Sequence, residues 1–442
     1  MVILDRLFGD LKDACAAFPD KRKGEGGYSM ADIGLSAFSL FFMQSESFLS
    51  HQRSLEEGQK TSNCQTLFGM AKIPTDNHIR SMLDAVHPSY LQSVFDSAVA
   101  ALRDNGGMKA FQRLGERTLI ALDGTEYFCS QKLGCPNCQT RKRSNGKVES
   151  YHSMLAATIV APGHNMVLPL MPEFIVKPDG AEKQDCELSD EPSVHRDNAA
   201  KRWLAAHGER VKPLRPIFLG DDLFACQPIC QPIVAGGSDF LFTAKPDSHK
   251  TLYDFMDGAE IEEMSVTRKE GRKKLTYCYR WFIGAPLREG KDAMSVNWIG
   301  LTILDAKGEA TYDGAWVTSL KVSRENVADI AACARARWKI ENETFNVLKN
   351  NGYHLEHNFG HGKQHLAMTF AALNLLAFAI HTVCDCVETL WVAARQAKRS
   401  RARFFEHIRT ITAYLVFPDW PTLMTTLIQS KPPPEIAKQV VA

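Results

Sequence analysis

Hydrophobic and polar positions alternate along the chain in two distinct rhythms. Residues 30–43 read MADIGLSAFSLFFM, an apolar run entered through Ser29, a residue type that caps helix N-termini. Pro74-Thr75-Asp76 opens a second helical segment, NHIRSMLDAV. Over residues 90–103, Leu91, Val94, Phe95, Ala98 and Leu102 recur at helical spacing. Residues 1–114 are therefore expected to be helical, with a basic, glycine-rich loop at 21–27. Such a block is either a DNA-end-binding module or a packing and oligomerisation domain.

At Arg117 the rhythm changes. TLIALD (118–123) is a continuous apolar run ending in Asp-Gly, as suits a central strand buried on both faces. Residues 151–160 and 166–176 read as two more strands, and 184–211 is polar with helical stretches, including NAAKRWLAAHGERV. PIFLGD (216–221) is a second short apolar run that ends in an acid. A short helix over 227–235 and a strand over 239–244 follow. Strands come together first and alternate with helices later, which predicts an α/β fold, a mixed sheet covered by helices. From about 250 to 320, the runs TYCYRWFIGAPL, SVNWIGLTILDAKG and ATYDGAWVTSL alternate with charged turns, the pattern of a β-rich insertion. Helical pattern resumes at Val327 and continues, strongly apolar, over 365–397. The last stretch begins with KRSRAR and includes SKPPPE. The expected domains are thus 1–114, helical; 115–247, the first part of a catalytic core; 248–322, the insertion; 323–397, the second part of the core; and 398–442, a basic tail.

Composition adds bounds. A chain of 442 residues with net charge +1 has no overall basic signature, so any nucleic-acid binding must come from local patches. Twelve dispersed cysteines are not a disulfide framework, and the first ten residues carry acids rather than a basic leader. A cytoplasmic location is the expectation. The apolar run 366–380 contains Asn374 and is followed by His381, which favours a buried helix over a membrane span.

Candidate chemistry centres on the helix ending RARWKIENETFNVLKNN. With Glu341 set at zero on a 100° wheel, Trp338, Phe345 and Leu348 fall within about 60° of it, while Glu343 points away. A carboxylate on an apolar face is costly unless it is paired or coordinates a metal. Arg337, one turn earlier, offers the pair. Asp123 and Asp221, each closing an apolar run, offer the metal alternative. Ligands gather at strand ends in such sheets, and three hard oxygen donors suit Mg²⁺ or Mn²⁺. Three carboxylates can hold two such ions for in-line displacement at phosphorus.

These motifs, Ala-Leu-Asp-Gly-Thr around Asp123, Leu-Gly-Asp-Asp-Leu-Phe around Asp221 and Arg-Trp-Lys-Ile-Glu at 337–341, resemble those of the DDE transposases of bacterial insertion sequences, in the group called insertion sequence family four. The resemblance covers about residues 117–395. It implies a ribonuclease-H-like catalytic domain with a β-rich insertion between the second Asp and the Glu. It also implies metal-dependent cleavage at transposon ends, strand transfer into target DNA and a multimeric complex on DNA. Asp123, Asp221 and Glu341 would be the catalytic metal ligands. Arg337 keeps the family spacing of Tyr, Arg, Glu and Lys; the Tyr position holds Ala334 and the Lys position Leu348, with Lys349 one place late. Arg337 and Lys349 would contact DNA phosphates.

Weaker signals remain. Cys129, Cys135, Cys138 and His152 have the spacing of a zinc knuckle, against free thiols in a loop. Arg141, Lys142 and Arg143, with Lys147, would grip phosphates or form a solvated loop. Gln184, Asp185, Cys186 and Glu187 read as a helix start. His354, His357, His361 and His365 form a histidine-rich run that serves as a metal site or as DNA contacts and caps. Trp316 is either a platform for a flipped base or a core residue. Two rival functions stay open: a domesticated or decayed transposase that binds DNA without cutting, and a ribonuclease-H-like nuclease without strand transfer.

Overall fold

The structure, a computed structural model, describes residues 1–24, 26–48, 62–176 and 199–431. Gln184 to Glu187 and the proline-rich end of the chain lie outside the described residues.

Twelve strands among the described residues join in one sheet: β1 (Gln112–Arg113), β2 (Arg117–Ser130), β3 (Gln139–Lys142), β4 (Val148–Ala161), β5 (His164–Pro169), β6 (Glu173–Ile175), β7 (Pro216–Gly220), β8 (Asp239–Thr243), β9 (Glu262–Glu270), β10 (Lys273–Pro286), β11 (Ser295–Leu304) and β12 (Ala310–Thr318). Their order is β3-β4-β2-β7-β8-β12-β11-β10-β9, with β1 on β2 and both β5 and β6 on β4. The fold is α/β, a mixed sheet flanked by helices. β2 pairs antiparallel with β4 and parallel with β7, and β7 pairs parallel with β8. The two parallel steps are bridged by crossovers that include the helices Ala199–Val211 and Gln227–Ala235, because parallel strands cannot be joined by a tight turn. The middle of the sheet is dry on both faces: Leu119 to Leu122 and Ile217 to Leu219 are all buried, as their unbroken apolar runs require.

Several expectations change in detail. The strand expected to close at Asp123 continues to Ser130, so Asp123 sits within a strand and not at a turn. The strand expected over 166–176 is broken into β5 and β6, with Pro169 and Pro172 supplying no N–H for a ladder. Strand Ala310–Thr318 pairs antiparallel with β8, so the β-rich stretch extends the central sheet and shares its hydrogen bonds. The stretch expected to be a basic tail contains two helices, Arg401–Tyr414 and Trp420–Gln429, in which Phe404, Phe405, Ile408 and Leu423 are buried.

These late helices share a core with the N-terminal ones. Ser29 caps Met30–Phe42, accepting from the Asp32 N–H at 3.0 Å, and Thr75 caps Asp76–Leu83. The Phe8 ring lies 6.1 Å from Trp420, and Phe42 lies 5.3 Å from it. Glu388 accepts from the Ile3 and Leu4 N–H groups at 2.8 and 3.1 Å, which satisfies first-turn donors that a helix leaves open. Between the two sets runs Leu366–Val387. It is long and apolar enough to cross a membrane, yet 94% of its most apolar window is buried inside the fold. Its polar groups face protein: Asn374 donates to the Tyr353 carbonyl at 2.8 Å, and His381 Nδ1 lies 2.7 Å from the Tyr353 hydroxyl. Tyr353 thereby anchors the chain that leaves the helix carrying Glu341.

Candidate active site and a cysteine–histidine cluster

The helix carrying Glu341 is not one regular helix. An α segment, Val327–Arg335, passes into a 3₁₀ turn, Ala336–Trp338, then a π turn, Ile340–Phe345, and a last α turn, Asn346–Asn350. π turns are rare and concentrate at functional sites. The wider turn changes the angular step, so a 100° wheel misplaces what surrounds it. Ile340, Thr344, Phe345 and Leu348 are buried, but Trp338 is 44% exposed and half of the Glu341 side chain is open to solvent. Glu341 therefore faces solvent and not the apolar face that the wheel draws. Glu343, expected at the surface, is half-buried and lines a polar cavity of about 560 Å³.

The β2–β7 register sets Ala121 opposite Leu219. Two residues further along each chain come Asp123, still within β2, and Asp221, just past the end of β7, so the two acids lie at the same end of neighbouring parallel strands. Asp123 accepts from the Gly124 N–H at 2.9 Å and Asp221 from the Leu223 N–H at 3.0 Å. Glu341 reaches this end through Arg337, whose guanidinium lies 3.3 Å from Asp123 Oδ2 and 2.8 Å from Glu341 Oε1. The expected Arg337–Glu341 pair is thus present and extends to the first strand acid. Asp222 takes a different partner, Lys245, at 2.9 Å. Although burial opposes it, that ammonium holds the Asp222 carboxyl below its ordinary range.

The crowding of carboxylates shows in their proton affinity. Burial pushes Asp123 up to about 7; Arg337 works against the rise, and the charges of Glu341 and Asp221 add to it. Asp221 is raised too, by burial first, with its Leu223 N–H bond opposing and Asp222 adding. Two half-buried acids that resist ionisation, beside a third, form a site that a cation stabilises. The donors are all carboxylate oxygens, the set preferred by Mg²⁺ and Mn²⁺.

A second constellation lies on the far part of β2. Cys135 and Cys138 in the β2–β3 connection, His152 on β4 and His361 in the segment after the Glu341 helix bring their ligand atoms within 4.8 Å of one another. The Cys135–Cys138 sulfurs are 3.8 Å apart, and His152 Nε2 lies 3.5 and 3.4 Å from them; His361 Nε2 lies 3.4 Å from Cys138. Burial lowers His152 to about 4, with His361 adding, and keeps its ring neutral; it also lowers His361. The four side chains could hold a metal ion. Cys129, expected as a ligand, is excluded from this group. It is exposed on the β2 face that meets Glu149 and Arg141, at 3.5 and 3.6 Å. His361 takes the fourth place. The histidine-rich run signals it, but nothing in the sequence links that run to the cysteines.

The remaining candidates fall as follows. Arg141 is engaged by Glu126 and Glu149, and Arg143 by Glu149 at 2.6 Å, whereas Lys142 is exposed. Lys349 pairs with Glu356 at 2.8 Å. Trp316 is 4% exposed and stands between Ile299 of β11 and Thr243 of β8, a core tryptophan. The exposed tryptophan of the region is Trp338, which the wheel sets on the apolar face. No family model matches the chain, and no curated protein matches it.

Proposed function

We propose that this chain is a DDE-type transposase with a ribonuclease-H-like catalytic domain, cutting DNA at element ends and joining the freed 3′-hydroxyls to a target. The observation that carries this reading is the meeting of three acids from three distant stretches: Asp123 within β2, Asp221 just past the end of the parallel neighbour β7 and close enough for its charge to act on Asp123, and Glu341 tied to Asp123 through Arg337. The mixed sheet, antiparallel through β2 and β4 and parallel from β2 to β8, supports the ribonuclease-H-like assignment.

Asp123, Asp221 and Glu341 fit a pair of Mg²⁺ or Mn²⁺ ions. Such ions, when bound, lower the pKa of an attacking water or hydroxyl and stabilise the leaving oxygen. Asp123, on which the charges of both Asp221 and Glu341 act, would hold the ions together with those two acids. Arg337 holds the carboxylates in position without metal and is aimed to meet a DNA phosphate when the acids turn to cations. Trp338, exposed beside Glu341, gives the DNA a flat apolar surface. Holding two element ends together requires more than one copy of the chain.

We also assign zinc to the cysteine–histidine cluster. For tetrahedral zinc with bonds of about 2.3 Å to sulfur and 2.0 Å to nitrogen, the S···S and S···N edges are about 3.8 and 3.5 Å. The observed sulfur–sulfur separation of 3.8 Å and sulfur–nitrogen separations of 3.4 to 3.5 Å match these values. The ion would be structural, with four protein ligands and no open position, pinning the segment that follows the Glu341 helix to β4.

The metal-binding part is tested by Mn²⁺ titration of the zinc-loaded protein, followed by electron paramagnetic resonance. Two equivalents with a spin-coupled signal are expected, and Asp123→Ala should abolish the coupled signal. Uncoupled binding in the wild type, or coupling that persists in Asp123→Ala, would overturn the assignment.

A further inference from the structure

Among the described residues, a concentration of unpaired positive charge lies away from the short basic motif at residues 141–143. Arg141 and Arg143 are neutralised by Glu126 and Glu149. The hairpin joining β9 and β10 reads Arg268-Lys269-Glu270-Gly271-Arg272-Lys273-Lys274, five cations and one acid in a chain whose net charge is +1. All five cations are exposed, and none forms an ion pair among the described residues. The one acid, Glu270, is occupied by the Tyr277 hydroxyl.

The shape of the hairpin matters as much as its charge. Lys273 pairs with Glu270, leaving a two-residue turn of Gly271 and Arg272; φ is +60° at Gly271 and not positive at Arg272, the pattern of a II′ turn. β11 accompanies β10 only as far as the Thr276–Leu304 pair, so the tip stands beyond it as a free two-stranded ribbon. Three residues of projection reach about 10 Å, the scale of a DNA major groove, which is roughly 12 Å wide and 8.5 Å deep. Lys269 and Lys274 stand directly opposite each other on one face. Like charges in that position destabilise a hairpin, and a polyanion lying across them relieves the repulsion. The opposite face is braced: Arg268 covers the Tyr277 ring at 5.3 Å, and Tyr277 and Tyr279 are buried. The tip is therefore a braced arm whose cations form no ion pair among the described residues.

We propose that the β9–β10 hairpin is a second DNA-contacting element, gripping the phosphates of duplex DNA on either side of a groove, apart from the acids. This rests on the reading of the chain as a DNA-processing enzyme and extends it, since the acids alone do not account for DNA affinity.

The test is the salt dependence of binding to a random-sequence 30-base-pair duplex, read by fluorescence anisotropy without divalent ions. The wild type should bind with a steep negative slope of log K against log salt. The variant Lys269→Gln, Arg272→Gln, Lys274→Gln should be shallower by about 0.9 per lost contact, roughly 2 to 3 in all. Lys269→Glu alone should raise the thermal midpoint, because it places an acid opposite Lys274, and should still weaken binding, which separates charge from folding. An unchanged slope and affinity in the triple variant, with the wild type binding duplex, overturns the hairpin and leaves the enzyme reading standing. Absence of duplex binding by the wild type overturns both, and tighter binding of single-stranded RNA overturns the assignment to duplex DNA.

Discussion

Asp123→Asn is expected to stabilise this protein while disabling its site. Burial lifts Asp123 from 3.8 to about 7. Between those values the folded chain keeps a proton that the unfolded chain has lost, so stability falls as pH rises, with the penalty absent below 3.8 and complete above 7. A rise of that size corresponds to roughly 4 kcal/mol at pH 8. That figure is already net of the charged contact to Arg337, which opposes the rise, so the substitution removes it without a further offset from that pair. Replacing the ionised carboxylate by a neutral amide therefore gains up to roughly 4 kcal/mol at about pH 8. At about pH 5 most of the penalty has gone already, and the advantage of Asn should fall by roughly 2–3 kcal/mol. Thermal unfolding of both proteins without added divalent ions reads this out, each kcal/mol being worth about 2 °C for a chain of this size. A variant less stable than wild type at pH 8, or an offset that does not change with pH, would refute the reasoning.

Two other outcomes follow from the same structure. Cys138→Ser and His361→Ala should each lower bound zinc from one equivalent toward zero and reduce the melting temperature, while Cys129→Ser keeps the full equivalent; zinc loss in Cys129→Ser with retention in His361→Ala would reverse the ligand assignment. Tyr353→Phe should cost about 1–3 kcal/mol, because it strips the buried His381 Nδ1 of its 2.7 Å partner; an unchanged unfolding midpoint would contradict it.

What the sequence reveals follows from how local each signal is. The apolar runs at 118–122 and 216–220 read as central strands because a residue buried on both faces leaves no alternation to mistake. The caps at Ser29 and Thr75 are legible for a related reason, since each is settled within four residues. The surroundings of Glu341 are not, because a wheel assumes one angular step and the π turn over Ile340–Phe345 changes it. Hence the wheel turns Trp338 inward, while Trp316, open in sequence between a base platform and a core residue, proves to be core. His361 is hidden by distance along the chain: Cys135 and Cys138 announce a ligand pair by spacing, but the partner that completes the set comes from a segment brought near by the Tyr353 anchor. The cations at 268–274 do not stand out in sequence because only the structure shows which basic residues have acids beside them. Arg141 and Arg143 look equally basic in sequence and are spent on Glu126 and Glu149.

Asp123, Asp221 and Glu341 are proposed to act as one metal-dependent site on DNA. This is tested most directly by incubating the zinc-loaded protein with duplex spanning both flanks of its own gene and Mn²⁺. The wild type should break strands to leave 3′-hydroxyls and form joined products, and Asp123→Ala, Asp221→Ala and Glu341→Ala should each lose all detectable cleavage. Cleavage that survives in Glu341→Ala, or a wild type that binds this DNA and never cuts it, would contradict the account.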